Sequence, residues 1–323
     1  MNISFIISCP IHNGKGHLTR VSSLANQLNN KSNLLSLYII SKNLRLKEIA
    51  SIKYFNKKKI LQKYSELFSN NFNFNTVILD DYNITLRDIK KLNHLCKKIL
   101  YFQDHNIINL RSVIPIKSKM IMRNNHYYFK NIFLNPKFFF HKKIKKNNKI
   151  LISFGSGRIS TKLLIFLRFL KKIDKELLHT YNLDITNDLN INHQKIINSL
   201  NKIKINKINN SLFFKNINSY NFSINASGVT SLELLYLQIP QILFKISKNQ
   251  MVNYKNLKKI KSDTIITIDS LSTKNFKKFK YSFYFMIKKN FFNFKKNKST
   301  LKIVFDSNKL LIDYISNYGN KTI

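Results

Sequence analysis

The residues best suited to chemistry sit close together near the start of the chain, in Gly14-Lys15-Gly16-His17-Leu18-Thr19-Arg20. A mostly apolar run, Ile3 to Ile7, ends just before them and reads as a strand. Behind it Leu18, Val21, Leu24, Ala25 and Leu28 recur at helical spacing. The order is therefore strand, glycine-containing loop, helix, with His17 at the helix start. Such a start presents free backbone N–H groups and a partial positive charge. It favours a nearby anion and disfavours a protonated imidazole, which suits a general base. Arg20, three residues on, shares a helix face with His17 and could meet a phosphate or a carboxylate. The plainer alternative is an ordinary strand–turn–helix with a polar capping residue.

A second constellation begins at Phe222 and runs through Asn225-Ala226-Ser227-Gly228-Val229-Thr230-Ser231-Leu232-Glu233. A short strand meets small residues, and Leu232, Leu234, Leu235 and Leu237 then imply a helix. Small residues let a ligand approach the backbone, and the helix start can hold a phosphate. Glu233, expected within the first turn, could accept from two adjacent ribose hydroxyls or merely complement the helix dipole. After Pro240 and a strand Gln241–Phe244, Lys248-Asn249-Gln250 and Asn253 form a polar loop that opens a helix. Their side chains offer both donors and acceptors, which suits sugar hydroxyls and amides, and Asn249 could equally be a helix N-cap.

The elements that must position these residues follow from the apolar pattern. Leu35–Ile40, Thr76–Leu79 and Ile99–Phe102 read as further strands, and Thr85–Leu95 as a helix with Leu86, Ile89 and Leu92 on one face. Strands alternating with helices imply a parallel sheet, and ligands of such sheets sit at the carboxyl ends of the strands. His17, Asp80, Asp81, Tyr82, Asp104 and His105 would gather at that edge, with capping or loop roles the alternative for Asp81 and Asp104. His141–Lys149 is a lysine- and asparagine-rich break and reads as a linker. A second cycle then opens with strand Ile150–Phe154, loop Gly155-Ser156-Gly157-Arg158 and helix Thr161–Leu170. Tyr181–Asn210 carries no readable pattern, Phe276–Phe294 reads as an amphipathic helix, and Val304-Phe305-Asp306 precedes a final helix, Asn308 to about Ser316.

A chain of 323 residues accommodates two domains, and 44% hydrophobic residues exclude global disorder. No apolar run reaches the length of a membrane span. Cys9 and Cys96 are the only cysteines, with no metal-ligand spacing, and two thiols without an export signal fit a cytoplasmic location. The net charge of +41 invites a nucleic-acid reading. Lysine is scattered rather than clustered, however, and no binding module is recognisable, so no specific nucleic acid is expected. The charge reads as a solvated surface that attracts anionic substrates and gives peripheral contact with anionic lipid headgroups. No obligate protein partner is expected.

Taken in order, Gly14-x-Gly16-His17-x-x-Arg20, Leu24-Ala25, Asp80-x-Tyr82, Phe154-Gly155, Ala226-Ser227-Gly228-x-Thr230-Ser231-x-Glu233, Pro240, Asn249-Gln250, Asn253 and Phe305-Asp306 resemble the UDP-sugar hydrolases of pseudaminic acid biosynthesis. Spore-coat polysaccharide proteins and the lipid II-forming N-acetylglucosaminyltransferases are more distantly similar. The resemblance implies an α/β fold of GT-B type, two Rossmann-like domains with parallel sheets facing across a cleft. Residues 1–146 would form the first domain, 147–305 the second, and 306–323 a helix that packs back on the first. It implies hydrolysis of a UDP-linked 2,4-diacetamido-2,4,6-trideoxy-hexose, with His17 at the anomeric carbon. UDP would lie on the second domain, Glu233 on the ribose and Gly228–Ser231 at the diphosphate. Gly14, Gly16, Arg20, Asp80, Tyr82, Gly155, Ser227, Thr230, Asn249, Gln250 and Asn253 would complete the substrate site. No cofactor and no metal are implied. The chain departs from the family pattern at Ser156–Arg158, at Leu232 and at Ser307-Asn308, and Gln103–Arg123 matches poorly. A glycosyltransferase using a UDP-amino sugar is the alternative activity, and a basic nucleic-acid-binding protein a distant one.

Overall fold

The first strand, β1 (Asn2–Ser8), has every residue from Ile3 to Ser8 buried, because both faces of the sheet it joins are covered. The computed structural model describes residues 2–8, 16–29, 33–42, 52–69, 72–81, 83–102, 113–116, 119–123, 126–130, 147–155, 160–187, 189–200, 203–247, 250–260, 262–291, 302–305 and 315. After β1 come α1 (Gly16–Asn29), β2 (Leu34–Ile40), β3 (Lys57–Leu61), α2 (Ser65–Ser69), β4 (Phe74–Asp80), α3 (Leu86–Leu95), β5 (Cys96–Phe102) and β6 (Val113–Ile116). They form a six-stranded sheet in the order β3-β2-β1-β4-β5-β6, with every neighbouring pair parallel.

Alternation along β1 sends Ile3, Phe5 and Ile7 to one face with Val21, Leu24, Ala25 and Leu28 of α1. Ile6 faces the other side, with Leu67, Ile89 and Leu92 of α2 and α3. Helix α3 starts at a capping box in which Thr85 Oγ1 accepts from the Asp88 N–H at 3.2 Å and Asp88 Oδ2 accepts from the Thr85 N–H at 3.3 Å. Ile89 and Leu92 are buried as expected, whereas Leu86, in the first turn, points to solvent. Strand β3 had no strand signal in the sequence, where Lys57–Lys59 is a charged cluster. It is an edge strand, where lysine is tolerated, and the Lys57 and Lys59 ammonium groups stand 5.7 and 5.2 Å over the Phe72 ring.

The remaining elements are β7 (Lys119–Arg123), β8 (His126–Lys130), β9 (Lys149–Ser153), α4 (Ser160–Lys171), α5 (Lys175–His179), β10 (Asn182–Ile185), α6 (Ile191–Ser199), β11 (Lys204–Lys207), α7 (Asn210–Asn216), β12 (Tyr220–Ala226), α8 (Val229–Tyr236), β13 (Gln241–Phe244), α9 (Met251–Lys258), β14 (Ile265–Ile268), α10 (Phe276–Phe291) and β15 (Lys302–Phe305). A second six-stranded sheet has the order β11-β10-β9-β12-β13-β14, again all parallel, and β15-β8-β7 form a small third sheet. Counted within itself, the second sheet repeats the 3-2-1-4-5-6 order of the first, the doubly wound arrangement. Its main cluster gathers Ile150, Ile152, Phe166, Phe222, Phe279 and Phe283. The patternless stretch Tyr181–Asn210 supplies β10, α6 and β11, whose short edge strand Lys-Ile-Asn-Lys has too little apolar character to be read.

The chain divides into two compact units, one of Met1–Arg123, Tyr128–Pro136 and Val304–Ile323, the other of Asn124–Tyr127 and Lys137–Ile303. Ile315 is buried in the first unit's core with Ile3, Leu37 and Leu100. The expected final helix otherwise lies outside the described residues, as do Asp104, His105 and most of the expected linker. Lys149, the last residue of that linker, opens β9. Among the described residues no helix is long and apolar enough to cross a membrane.

Candidate functional site

In a doubly wound sheet the strand order reverses beside the first strand, and the crevice there is where ligands bind. In the first unit that point lies between β1 and β4. Ile7 pairs with Asp80, so β1 and β4 end together. His17, the second residue of α1, comes back over these ends, and its Nδ1 lies 2.7 Å from Asp80 Oδ1. Arg20 reaches the same carboxylate with two donors, Nε to Oδ2 at 2.8 Å and Nη2 to Oδ1 at 2.5 Å. The guanidinium also stands 4.4 Å over the ring of Phe102, the last residue of β5. Of the phosphate or carboxylate left open for Arg20, the described residues show a carboxylate of the chain itself. Asp80, expected to touch substrate, is fully buried beneath His17 (4% exposed) and Arg20. Burial pushes the Asp80 carboxyl up, but the Arg20 guanidinium and His17 outweigh it and hold the group below the usual carboxylate range.

The neighbouring Asp81 braces the same edge. Its carboxylate accepts from Ser8 Oγ at 2.5 Å, from the Tyr64 hydroxyl and from the Asn83 N–H at 2.7 Å. Of the two roles the sequence left open for Asp81, the structure shows the loop-holding one. Burial, then the Asp81 charge, raises the Tyr64 phenol well above its usual range, so Tyr64 stays a donor.

The second unit's reversal lies between β9 and β12. Gly155 follows β9 at φ +89°, a conformation that favours glycine. Asn187, which no local signal marks, fixes this loop: its Oδ1 accepts from the Phe154 N–H at 2.9 Å and its Nδ2 donates to the Gly155 carbonyl at 2.6 Å. At the end of β12 the Ser227 N–H and hydroxyl both donate to the Phe244 carbonyl, at 3.0 and 3.2 Å, tying the loop to the end of β13. Gly228 is the N-cap of α8 and has no side chain to close the helix start. The Ser231 hydroxyl turns back to the Gly228 carbonyl at 2.6 Å. Gln250 folds across from the start of α9, its Oε1 accepting from the Ile246 N–H at 3.2 Å. A Cβ built on Gly228 would lie 3.8 Å from Gln250 Nε2, so these two expected site residues adjoin.

Beneath this loop a buried polar chain runs from the Ser223 hydroxyl to Asn225 Oδ1 (2.8 Å), from Asn225 Nδ2 to Gln241 Oε1 (3.1 Å) and from Gln241 Nε2 to the Ser231 carbonyl (2.9 Å). It fixes the first turn of α8 on β12 and β13, because each buried amide finds its partner only in that position. Thr230, half-buried, is the second residue of α8, and Asn253, also half-buried, the third of α9.

Glu233 requires a correction. Helix α8 begins at Val229, so Glu233 is its fifth residue and lies beyond the first turn, which holds no acidic residue. The dipole role weakens beyond that turn, and a carboxylate only 5% exposed is not a solvated helix-end charge. The N-cap of α9 is Gln250, without a side-chain capping bond. Gly14, Tyr82, Asn249 and Ser156–Arg158 lie outside the described residues, and Gly16 is the first residue of α1. Among the described residues no group of three or more His, Cys, Asp or Glu is placed to hold a metal ion. The first unit, taken by itself, offers a buried imidazole at the carboxyl ends of its strands, and the second, taken by itself, a helix start without a side-chain cap and with an adjacent amide, the chemistry of an anion cradle.

No protein-family model matches the chain. A Methanocaldococcus jannaschii protein described as "Uncharacterized protein MJ1062" is 25% identical over 301 residues, 80% of this chain and 59% of that protein. The chain thus spans about three-fifths of the length of that curated relative. Among solved structures, UDP-GlcNAc 2-epimerase from Neisseria meningitidis bound to UDP-GlcNAc superposes with a TM-score of 0.53 at 12% identity, covering 90% of this chain and 93% of that one. MurG from Acinetobacter baumannii superposes with a TM-score of 0.52 at 12% identity, covering 98% and 100%. At such identities the likeness concerns the fold. With two parallel sheets of the same winding and neighbours of this construction, the chain is a two-domain α/β protein of GT-B type.

Proposed function

We propose that the protein hydrolyses a UDP-linked 2,4-diacetamido-2,4,6-trideoxy-hexose at its anomeric C–O bond, releasing UDP and the free sugar in pseudaminic-type acid biosynthesis. The observation that carries the reading is His17: a buried imidazole at a helix start, held through Nδ1 at the reversal point of its sheet. In this reading Nε2 of the neutral ring takes a proton from the water that attacks the anomeric carbon. The C–O bond breaks and the diphosphate leaves with the bonding pair. The start of α8 stabilises the negative charge gathering on it, with Gly228, Thr230, Ser231 and Gln250 around the phosphates and Glu233 on the ribose. Asn253 and Asn249 would face the sugar or the nucleotide.

A sugar-transferring activity, with an acceptor hydroxyl in place of water, is the second reading. Incubation with the UDP-sugar and no acceptor separates the two readings. Steady UDP release at a rate unchanged by added acceptor supports hydrolysis, and release only with an acceptor supports transfer. General-base assistance is worth about 10²–10⁴-fold, so His17→Ala should bind UDP and release it from the sugar slower by that factor. A fully active His17→Ala protein would remove His17 from the chemistry.

A further inference from the structure

We propose that Asp80 is a positioning residue for the His17 imidazole, and that Arg20 acts on Asp80 rather than on substrate. The proposal rests on the reading of His17 as the base. A neutral imidazole carries one N–H, and an ionised carboxylate only accepts. With Asp80 Oδ1 at 2.7 Å from Nδ1, the single proton of the neutral ring belongs on Nδ1, where it donates to Asp80. The basic lone pair is then on Nε2. The same bond sets the rotation of the ring.

The carboxylate can do this only if it is ionised and held in one plane. Arg20 supplies both conditions. Its Nε and Nη2 grip the two oxygens at 2.8 and 2.5 Å, a fork that fixes the carboxylate plane. The guanidinium is itself seated 4.4 Å over Phe102. Oδ1, at the end of β4, thus accepts from two residues of α1, His17 and Arg20, while Phe102, at the end of β5, seats the guanidinium. This accounts for the spacing His-x-x-Arg. Residues three apart share a helix face, and here that face lies over the last residue of β4. The spacing places two donors on one carboxylate of the chain, so the arginine needs no phosphate to explain it.

The first test reads the ring of the wild-type protein directly, a variant serving only to assign its signals. Protein labelled with ¹⁵N in its imidazoles is recorded by long-range ¹H–¹⁵N correlation at a pH where the His17 ring is neutral, with the signals assigned by their loss in His17→Gln. A pyrrole-type Nδ1 and a pyridine-type Nε2 are expected, and the reverse pattern overturns the proposal. The second test uses UDP as the probe. In Arg20→Met and Arg20→Lys the Kd of UDP should stay within about threefold of wild type. The kcat for UDP release should fall on the order of 10²–10⁴-fold in Arg20→Met, with partial recovery in Arg20→Lys. A tenfold loss of UDP affinity with kcat unchanged would make Arg20 a phosphate ligand and overturn the proposal. If Arg20→Met does not fold, Arg20→Lys and the wild-type spectrum decide. Should His17→Ala prove active, the base reading falls while the ring spectrum still reports whether Asp80 holds the imidazole.

Discussion

Alanine at position 228 separates a backbone requirement from a ligand requirement. Gly228 has φ −88° and ψ −162°, which any residue adopts. The added methyl would lie 3.8 Å from Gln250 Nε2, an ordinary contact. The ligand-free protein should therefore lose only the difference between a glycine and an alanine N-cap, about 0.5–1 kcal/mol, or roughly 1–4 °C in Tm for a unit of this size. Binding should suffer more. The methyl stands where a diphosphate would approach the exposed N–H groups of α8, and each hydrogen bond to a charged group is worth about 1.5–3 kcal/mol. Loss of one such bond raises the Kd of UDP by about tenfold to a hundredfold. Calorimetric titration of UDP into both proteins, beside thermal melts without ligand, gives the two numbers. Equal UDP affinities would refute the assignment of the diphosphate to this helix start. A fall in Tm beyond about 10 °C would refute the geometry around Gln250.

Glu233→Gln replaces one acceptor oxygen with an amide donor and should weaken UDP by roughly 1.5–3 kcal/mol; unchanged calorimetric affinity would put the ribose elsewhere. Gly155→Ala should cost about 1–2 kcal/mol in urea denaturation, because φ is +89° and a Cβ there meets nothing within 4 Å, leaving backbone strain as the whole cost; a loss of only a few tenths would contradict it. Asp80 has a folded-state pKa below its ordinary 3.8, so its contribution is complete above that value and disappears as pH falls through the lower, folded one. The Tm of wild type should thus drop more steeply than that of Asp80→Asn as pH falls below 3.8, and parallel curves would show that Asp80 contributes nothing to acid unfolding.

Local pattern was enough for the elements that carry the site. The runs ending at Ser8 and Ala226 and the helices after them follow from apolar spacing within a dozen residues, and Gln241–Phe244 is a strand with the bounds expected. What escaped the sequence is decided at longer range. Arg20 and Asp80 stand 60 residues apart in the chain, and nothing in either segment says that they meet. Asn187 reaches back more than thirty residues to the Phe154–Gly155 backbone, and polar residues between two weak strands give no hint of it. Strand β3 was hidden for a different reason: its place at a sheet edge lets it carry lysines that would disqualify an interior strand. Glu233 was displaced by a single turn because small residues before a helix do not say which of them is its first.

The division of the chain bears on how the protein is made. The first unit takes back Val304–Ile323, and Ile315 is buried in its core beside Ile3. On a ribosome adding about 5–20 residues per second, Lys137–Ile303 occupies roughly ten to thirty seconds between the appearance of the first sheet and the arrival of Ile315. Through that interval the nascent first unit lacks Ile315 from the cluster that holds Ile3, Leu37 and Leu100, while the second, nearly contiguous in the chain, can close as it emerges. A ribosome stalled before residue 304 would leave the first unit without the segment it takes back.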